Sequence, residues 1–263
     1  MDLGGRVAVI TGAAGGIGSA LARRFAAEGA AGLVLSDLDP TGLADDLGVD
    51  ALAVSADVTV EADVRRLVEV AVDRYGRVDL FCSNAGITTG VGLDASDQQW
   101  ERSWAVNVRA HVYAARAVLP GMLERGDGYL LQTCSAAGLL AAVDDAPYTV
   151  TKHAAVAFAE WLAIMYGSRG IKVSALCPQG VDTPMLRDGL EAGHVGARVT
   201  VASGKVLSAD EVADAVIAGL AAERFLILPH PEVGTYLANK TGDPDRWLAG
   251  MRRLAAGVAD AEG

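Results

Sequence analysis

Short apolar runs recur along almost the whole chain, each too brief for a helix, with helical patterns filling the gaps. The runs are Val7–Thr11, Leu33–Ser36, Ala51–Val54, Asp79–Ser83, Tyr129–Cys134, Ile171–Leu176 and Phe225–Leu228. They are rich in Val, Ile and Leu and do not alternate strictly with polar residues, which marks strands buried on both faces. Strand and helix alternating this often predicts an α/β fold: a doubly wound, mostly parallel seven-stranded sheet with helices on both faces, formed as one domain over residues 1–263. Ligands of such sheets bind beyond the carboxyl ends of the strands, so the chemistry is sought in those turns.

Composition agrees with that architecture. The chain is 51% hydrophobic but only 5% aromatic, a mixture that suits helix-covered parallel strands better than an aromatic-rich sandwich. A net charge of -11 argues against nucleic acid or an anionic membrane as partner, since both want a basic face. No run is long and apolar enough to span a bilayer, and Met1–Arg6 leads straight into a strand-like run, so a cytoplasmic location is expected. Cys82, Cys134 and Cys177 are an odd set with no Cys-x-x-Cys spacing, read as buried free thiols rather than a reactive or metal-binding group. The four histidines have no ligand spacing either, and no metal is expected.

Helix starts are signalled at Asp39-Pro40, with Pro at the first helical position, and at the capping-box pairs Ser96/Gln99 and Ser208/Glu211. Pro184–Gly204 is rich in Gly and polar residues; a mobile substrate lid is expected there, at about 184–207, against the alternative of a plain surface loop. Beyond Pro229 an irregular stretch precedes a helical one, whose Trp247, Leu248, Met251 and Leu254 would pack on the core or on a neighbouring subunit.

The first strand runs into Thr11-Gly12-Ala13-Ala14-Gly15-Gly16-Ile17-Gly18, and a helical pattern follows over Ser19–Glu28. Glycines there let the backbone turn tightly and a pyrophosphate approach without striking a Cβ, while the helix start offers free N–H groups and a positive dipole end. Asp37 ends the second strand, 19 residues past Gly18. A carboxylate at that place accepts from ribose hydroxyls and repels a 2′-phosphate, and Ala13, Ala14 and Leu38 supply no cation, so NAD is preferred to NADP. The plain alternative for Asp37 is a solvated loop acid.

Tyr148 and Lys152 lie four residues apart in a helical segment, on one face. An ammonium beside a phenol favours phenolate, which would bring a tyrosine toward the working range of a general base. The pair alone is a weak signal. Ser135 ends the fifth strand 13 residues earlier, so both hydroxyls can reach one carbonyl oxygen, and Asn107 lies near the start of a helix expected over Val108–Leu123.

With these residues in order, the sequence resembles the short-chain dehydrogenase/reductase family in its shorter, single-domain branch, from roughly Leu3 to Pro229. The motifs that carry the resemblance are Thr-Gly-x-x-x-Gly-x-Gly at Thr11–Gly18, Asp57-Val58, Asn84-Ala85-Gly86, Asn107, Ser135 and Tyr148-x-x-x-Lys152. It implies a Rossmann fold with Tyr148 as general acid/base, Ser135 holding the substrate oxygen, and Lys152 binding the nicotinamide ribose. Asn107 would support a water in the proton relay behind Lys152. Gly12, Gly16, Ile17 and Gly18 would cradle the pyrophosphate, with Asp37 and Leu38 at the adenosine ribose. Asp57 and Val58 would contact adenine, Asn84, Ala85 and Gly86 would line the cofactor, and Pro178, Val181 and Thr183 would hold the nicotinamide end.

Two departures stand out. Ser83 occupies the place of the family's usual first Asn, and Gln179 follows Pro178 where Gly is usual. The first is expected to touch strand stabilisation, the second the border between nicotinamide and substrate. The expected activity is NAD(H)-dependent hydride transfer with a secondary alcohol or ketone. The rivals are an NADPH-dependent ketoreductase and a non-catalytic nucleotide-sensing protein.

Substrate should meet Ile87–Leu93, Ala136–Ala146 and the lid, including Leu139, Leu140, Val143, Met185 and Leu186. No cluster of Arg or Lys is evident there, so a medium-sized apolar substrate is expected and a phosphorylated or carboxylate-rich one is not. Asp144 and Asp145 read as a solvated loop pair rather than as polar contacts. The helix Thr149–Tyr166 is apolar nearly all round, which with the family resemblance predicts a homotetramer, with a dimer second.

Overall fold

The computed structural model of the protein describes residues 1–45 and 47–259. Its strands are β1 (Val7–Thr11), β2 (Gly32–Asp37), β3 (Ala51–Ser55), β4 (Leu80–Ser83), β5 (Gly128–Thr133), β6 (Ile171–Leu176), β7 (Val181–Asp182), β8 (Leu207–Ser208) and β9 (Leu226–Ile227). Seven of them form one parallel sheet in the order β3-β2-β1-β4-β5-β6-β9, and β7 pairs with β8 separately. The seven strands are those the apolar runs predict, with ends shifted by a residue or so.

The helices are α1 (Gly16–Ala27), α2 (Glu61–Tyr75), α3 (Asp97–Trp104), α4 (Ala110–Arg125), α5 (Ala146–Tyr166), α6 (Pro184–Glu191), α7 (Val195–Ala202), α8 (Ala209–Ala221), α9 (Glu232–Gly242) and α10 (Pro244–Ala259). The apolar runs do not alternate because the sheet has two dry faces. Ile10, Leu35, Cys82 and Leu131 pack with Phe25 of α1 and Val216 of α8 on one side. Val9, Val34, Phe81 and Leu130 pack with Leu67, Met122 and Leu162 of α2, α4 and α5 on the other. Strand order reverses between β1 and β4, which opens a crevice at their carboxyl ends.

Both capping boxes form, at Ser96/Gln99 and Ser208/Glu211. The Asp39-Pro40 helix start does not. Asp39 instead accepts from the Thr41 amide (3.1 Å) and hydroxyl (2.7 Å), a local turn that competes with helix formation. Asn107 is also not near a helix start: α3 runs into α4 through a π-helical stretch, Ala105–Arg109, and Asn107 sits inside it. The segment after Thr183 folds into α6 and α7. The stretch after Pro229, expected to begin irregularly, is helical from Glu232.

Candidate active site

A cleft of about 1090 Å³ runs along the carboxyl ends of the strands. Its floor at one end is the glycine turn. Gly12 has φ +66, and a Cβ there would lie 2.8 Å from Ala85 Cα, so this approach of two backbones requires glycine. At Gly16 (φ +42) a Cβ would lie 2.7 Å from the Thr183 side chain, which closes the turn from above. Gly15, by contrast, has open space where its Cβ would be, and α1 starts there without a side-chain cap. The first N–H groups of α1 therefore face the cleft free of side-chain acceptors. A pyrophosphate fits these features. Gly18 does not line the cleft: a Cβ there would strike the Gly12 carbonyl oxygen at 2.0 Å, so this glycine serves the packing of turn on helix.

Asp37 ends β2 at the cleft wall, with one carboxylate oxygen accepting from Ala14 N (3.0 Å) and the other from Leu38 N (2.8 Å). These bonds fix its orientation and leave lone pairs toward the cleft. Asp57 lines the cleft beside Ala56 and Val58. Burial raises its pKa, but the hydroxyl and amide of Thr59 donate to it and Arg102 adds positive charge, so the net shift is downward.

The strand ends are stapled by two residues. Thr11 Oγ1 accepts from the amides of Asn84 (3.0 Å) and Ala85 (3.2 Å), and Asn84 Nδ2 donates to the carbonyls of Thr11 and Gly12. Thr133 Oγ1 adds a bond to Asn84 Oδ1 at 3.1 Å, tying β5 to the same knot. Ser83, the first departure from the family pattern, takes no part, and its hydroxyl has no partner among the described residues.

Ser135, Tyr148 and Lys152 lie on one wall of the cleft. Ser135 follows β5 at φ 73, ψ 151, a conformation that costs a non-glycine residue about 1–3 kcal/mol and is held by the surrounding loop. Its hydroxyl lies near enough to the Tyr148 phenol to favour the phenolate, and it accepts from Ala137 N at 3.2 Å. Lys152 is buried, donates to the Thr133 carbonyl at 2.8 Å, and lies 5.6 Å from the centre of the Tyr148 ring. Gly86 borders it: a Cβ there would come within 3.2 Å of Nζ. Asn107, fully buried behind Lys152 and outside the cleft lining, accepts from Ile87 N (2.9 Å) and donates to Ile87 O (2.9 Å) and Thr151 Oγ1 (3.1 Å).

The electrostatics differ from the expectation of a lowered phenol. Burial pushes Tyr148 up to about 12, with the Ser135 hydroxyl opposing and Asp145 adding to the rise. The side chain is only partly covered because it lines the cleft, so water there tempers the push. Burial also lowers Lys152. Both shifts favour the uncharged forms of the pair.

A profile of short chain dehydrogenases matches residues 6–192. The 1-deoxy-11-beta-hydroxypentalenate dehydrogenase of Streptomyces avermitilis is 38% identical over 259 residues, covering 95% of this chain and 93% of that protein. The 2-(R)-hydroxypropyl-CoM dehydrogenase of Xanthobacter autotrophicus is 34% identical over 228 residues, covering 81% of this chain and 90% of its own. A crystal structure of a short chain dehydrogenase/reductase from Burkholderia phymatum in complex with NAD superposes with a TM-score of 0.85 at 30% identity, over 93% of this chain and 96% of that one. The chain belongs to the short-chain dehydrogenase family.

As a member of that family it is an oxidoreductase, and several features of its cleft depart from the sequence reading. Asp145 is not a solvated loop acid. It is buried, caps α5 by accepting from Tyr148 N (2.9 Å), and also accepts from Thr89 N (2.8 Å), Gly90 N (2.7 Å) and the hydroxyls of Thr88 and Thr89. Its spacing, Asp-x-x-Tyr with Pro147 in the first turn, is a helix-start signal. Leu139 packs with the core and does not line the cleft, whereas Leu140, Val143, Met185 and Leu186 do. Trp247, Met251 and Leu254 line the cleft, and Leu248 is half exposed. His230, one of the four histidines given no role by the sequence reading, is buried, accepts from Gln179 N at 3.1 Å, and bonds the carbonyls of Gly180 and Lys205 through Nε2. Cys82, Cys134 and Cys177 are buried and free, and burial raises all three thiols. Among the described residues no three His, Cys, Asp or Glu side chains gather as a metal would require, and no helix is long and apolar enough to cross a membrane.

Proposed function

We propose that the chain is an NAD(H)-dependent oxidoreductase that interconverts a medium-sized, largely apolar secondary alcohol and its ketone. The observation that carries this reading is one cleft holding both an open glycine cradle at a helix start and the Ser135–Tyr148–Lys152 wall. Asp37 favours NAD, since its fixed carboxylate accepts from ribose hydroxyls and repels a 2′-phosphate. The Burkholderia neighbour, described with NAD, and relatives named for hydroxylated substrates support the same assignment.

A bound nicotinamide would supply the hydride acceptor or donor. Gly12, Gly16 and Ile17 would border the pyrophosphate, with Gly18 setting the turn. Asp37 and Leu38 would meet the adenosine ribose, Asp57 and Val58 the adenine, and Asn84, Ala85 and Gly86 the cofactor's length. Pro178, Val181 and Thr183 would hold the nicotinamide end. Ser135 holds the substrate oxygen, and the Tyr148 phenol gives a proton to it in reduction or removes one in oxidation. Lys152 holds the nicotinamide ribose and supplies positive charge beside the phenol. Asn107 braces the Gly86–Ile87 backbone behind it, where the relay reaches water. The α6–α7 segment acts as a substrate lid. The enzyme works in the cytoplasm as a homotetramer, with a dimer second, through the face of α5 that exposes Trp161, Ile164 and Met165.

The test is a panel of secondary alcohols and ketones, read by NADH absorbance with both nucleotides. NAD should support turnover and NADP should not. Tyr148→Phe should abolish turnover while NADH still binds; a variant as active as the parent sinks the assignment.

A further inference from the structure

The inward face of α10 carries two charges that the activity above does not use. Arg246, Trp247, Gly250, Met251, Arg253 and Leu254 all line the cleft, a stripe at helical spacing. The helix is fixed at the substrate end. The Trp247 ring packs on Tyr236 of α9 at 6.2 Å, and the Tyr236 hydroxyl donates to the Ser203 carbonyl at the end of α7. Lys240 of α9 donates to the carbonyls of Leu139 (2.7 Å) and Leu140 (2.8 Å), in the segment that follows Ser135. The wall that α10 builds therefore stands over the substrate side of Ser135.

An apolar substrate alone would be matched by an apolar stripe. Here Arg246 and Arg253 interrupt it. The chain has 33 acidic against 22 basic residues, so carboxylates are abundant. Arg6, Arg23, Arg24, Arg74 and Arg187 all pair with them. Arg246 and Arg253 have no carboxylate partner among the described residues. Two of the acids lining the cleft are engaged otherwise: Asp145 serves Tyr148 N and the 88–90 loop, and Asp243 accepts from the backbone N of Arg246 rather than its guanidinium. Arg253 folds back over Gly250, where a Cβ would lie 3.9 Å from Nη2, one helical turn nearer Arg246.

We infer that the substrate is an apolar alcohol or ketone with one carboxylate end, and that Arg246 and Arg253 receive that end at the mouth of the cleft. The inference rests on the oxidoreductase reading for the reacting end only. A guanidinium matches a carboxylate with two parallel N–H donors, and at a mouth open to water the gain is modest and sensitive to salt.

The test uses the enzyme saturated with NAD and compares the parent, R246Q, R253Q and the double variant. Titration calorimetry with octanoate and with 1-octanol, on the enzyme saturated instead with NADH so that no alcohol is oxidised, reads binding without turnover. The parent should bind octanoate about tenfold more tightly than 1-octanol, and the double variant should bind the two alike with its affinity for 1-octanol unchanged. Oxidation of 7-hydroxyoctanoate against its methyl ester should give a KM advantage to the acid that the double variant loses, with kcat retained. Equal binding of octanoate and 1-octanol by the parent, or an acid preference that survives in the double variant, overturns the inference. An arginine-dependent octanoate preference without oxidation of either alcohol would keep the carboxylate site and sink the redox reading instead.

Discussion

Asp145 joins α5 to the loop opposite, and its removal separates the two contributions. Its carboxylate accepts from Tyr148 N, capping α5, and from Thr89 N, Gly90 N and the hydroxyls of Thr88 and Thr89. Loss of an N-cap acid costs about 1 kcal/mol. Each backbone N–H in the 88–90 loop that loses a charged acceptor costs about 1 kcal/mol at the partial burial found there. Asp145→Ala should therefore lose about 3 kcal/mol, a large share of the roughly 5–15 kcal/mol of a typical domain, yet still fold. Asp145→Ser restores a cap acceptor for Tyr148 N but is too short for the loop, so it should recover about 1 kcal/mol and no more. Asp145→Asn keeps the oxygen facing Tyr148 N but turns an amide toward the Thr89 and Gly90 donors, and it should fall between Ala and the parent. Urea unfolding followed by circular dichroism measures all three. A loss below about 1 kcal/mol for the alanine variant, or an asparagine variant as stable as the parent, would refute the view of Asp145 as a charged hub.

Ser135→Gly should relieve the positive φ at that position while removing the hydroxyl beside Tyr148. Unfolding should show stability unchanged or higher by up to about 1 kcal/mol, with turnover down at least about 100-fold. Lys240→Met should release the Leu139 and Leu140 carbonyls from α9; KM for the alcohol should rise several-fold with little change in NADH binding, read by fluorescence titration. The raised Tyr148 pKa has two consequences for pH. Alcohol oxidation, which needs phenolate, should speed up as pH rises through neutrality, and ketone reduction, which needs phenol, should hold level and decline only at high pH. In the protein without cofactor, a folded-state pKa of about 12 against the ordinary 10.0 of a tyrosine stabilises the fold below 10, and that contribution is lost as pH rises from 10 toward 12.

The sheet was legible because burial on both faces leaves an unmistakable sequence trace: Val9 and Ile10 point to opposite cores and both must be apolar. The glycine turn and the Ser135, Tyr148 and Lys152 wall were legible because their residue types are fixed by steric room and by chemistry. What stayed hidden depends on tertiary company. Asp39-Pro40 carries a helix signal that Thr41 overrides by bonding the Asp39 carboxylate locally. Asn107 lies within a continuous helix because the π-helical turn leaves no break in the apolar pattern. Asp145 was read as solvated since nothing local tells that Thr89 and Gly90, more than fifty positions away, supply its donors. The arginines of α10 were overlooked for the same reason: the packing of that helix on α7 and α9, which sets its face toward the cleft, is tertiary.

Three unfavourable features of this molecule lie along a single groove. Ser135 is held at a strained φ, Lys152 is buried without a carboxylate partner among the described residues, and Tyr148 is pushed away from its charged form. Each would be cheaper in strain or desolvation as glycine, methionine or phenylalanine. They persist because the two apolar layers and the Thr11–Asn84–Thr133 knot over-determine the backbone around them. The pushes on Tyr148 and Lys152 share a direction: each resists charge, so a positive group arriving beside the phenol lowers its pKa from a high starting point rather than from an already ionised one. A phenol that stays protonated until then can donate to a ketone at neutral pH, and the same burial that makes it a poor base on its own makes its proton available for reduction.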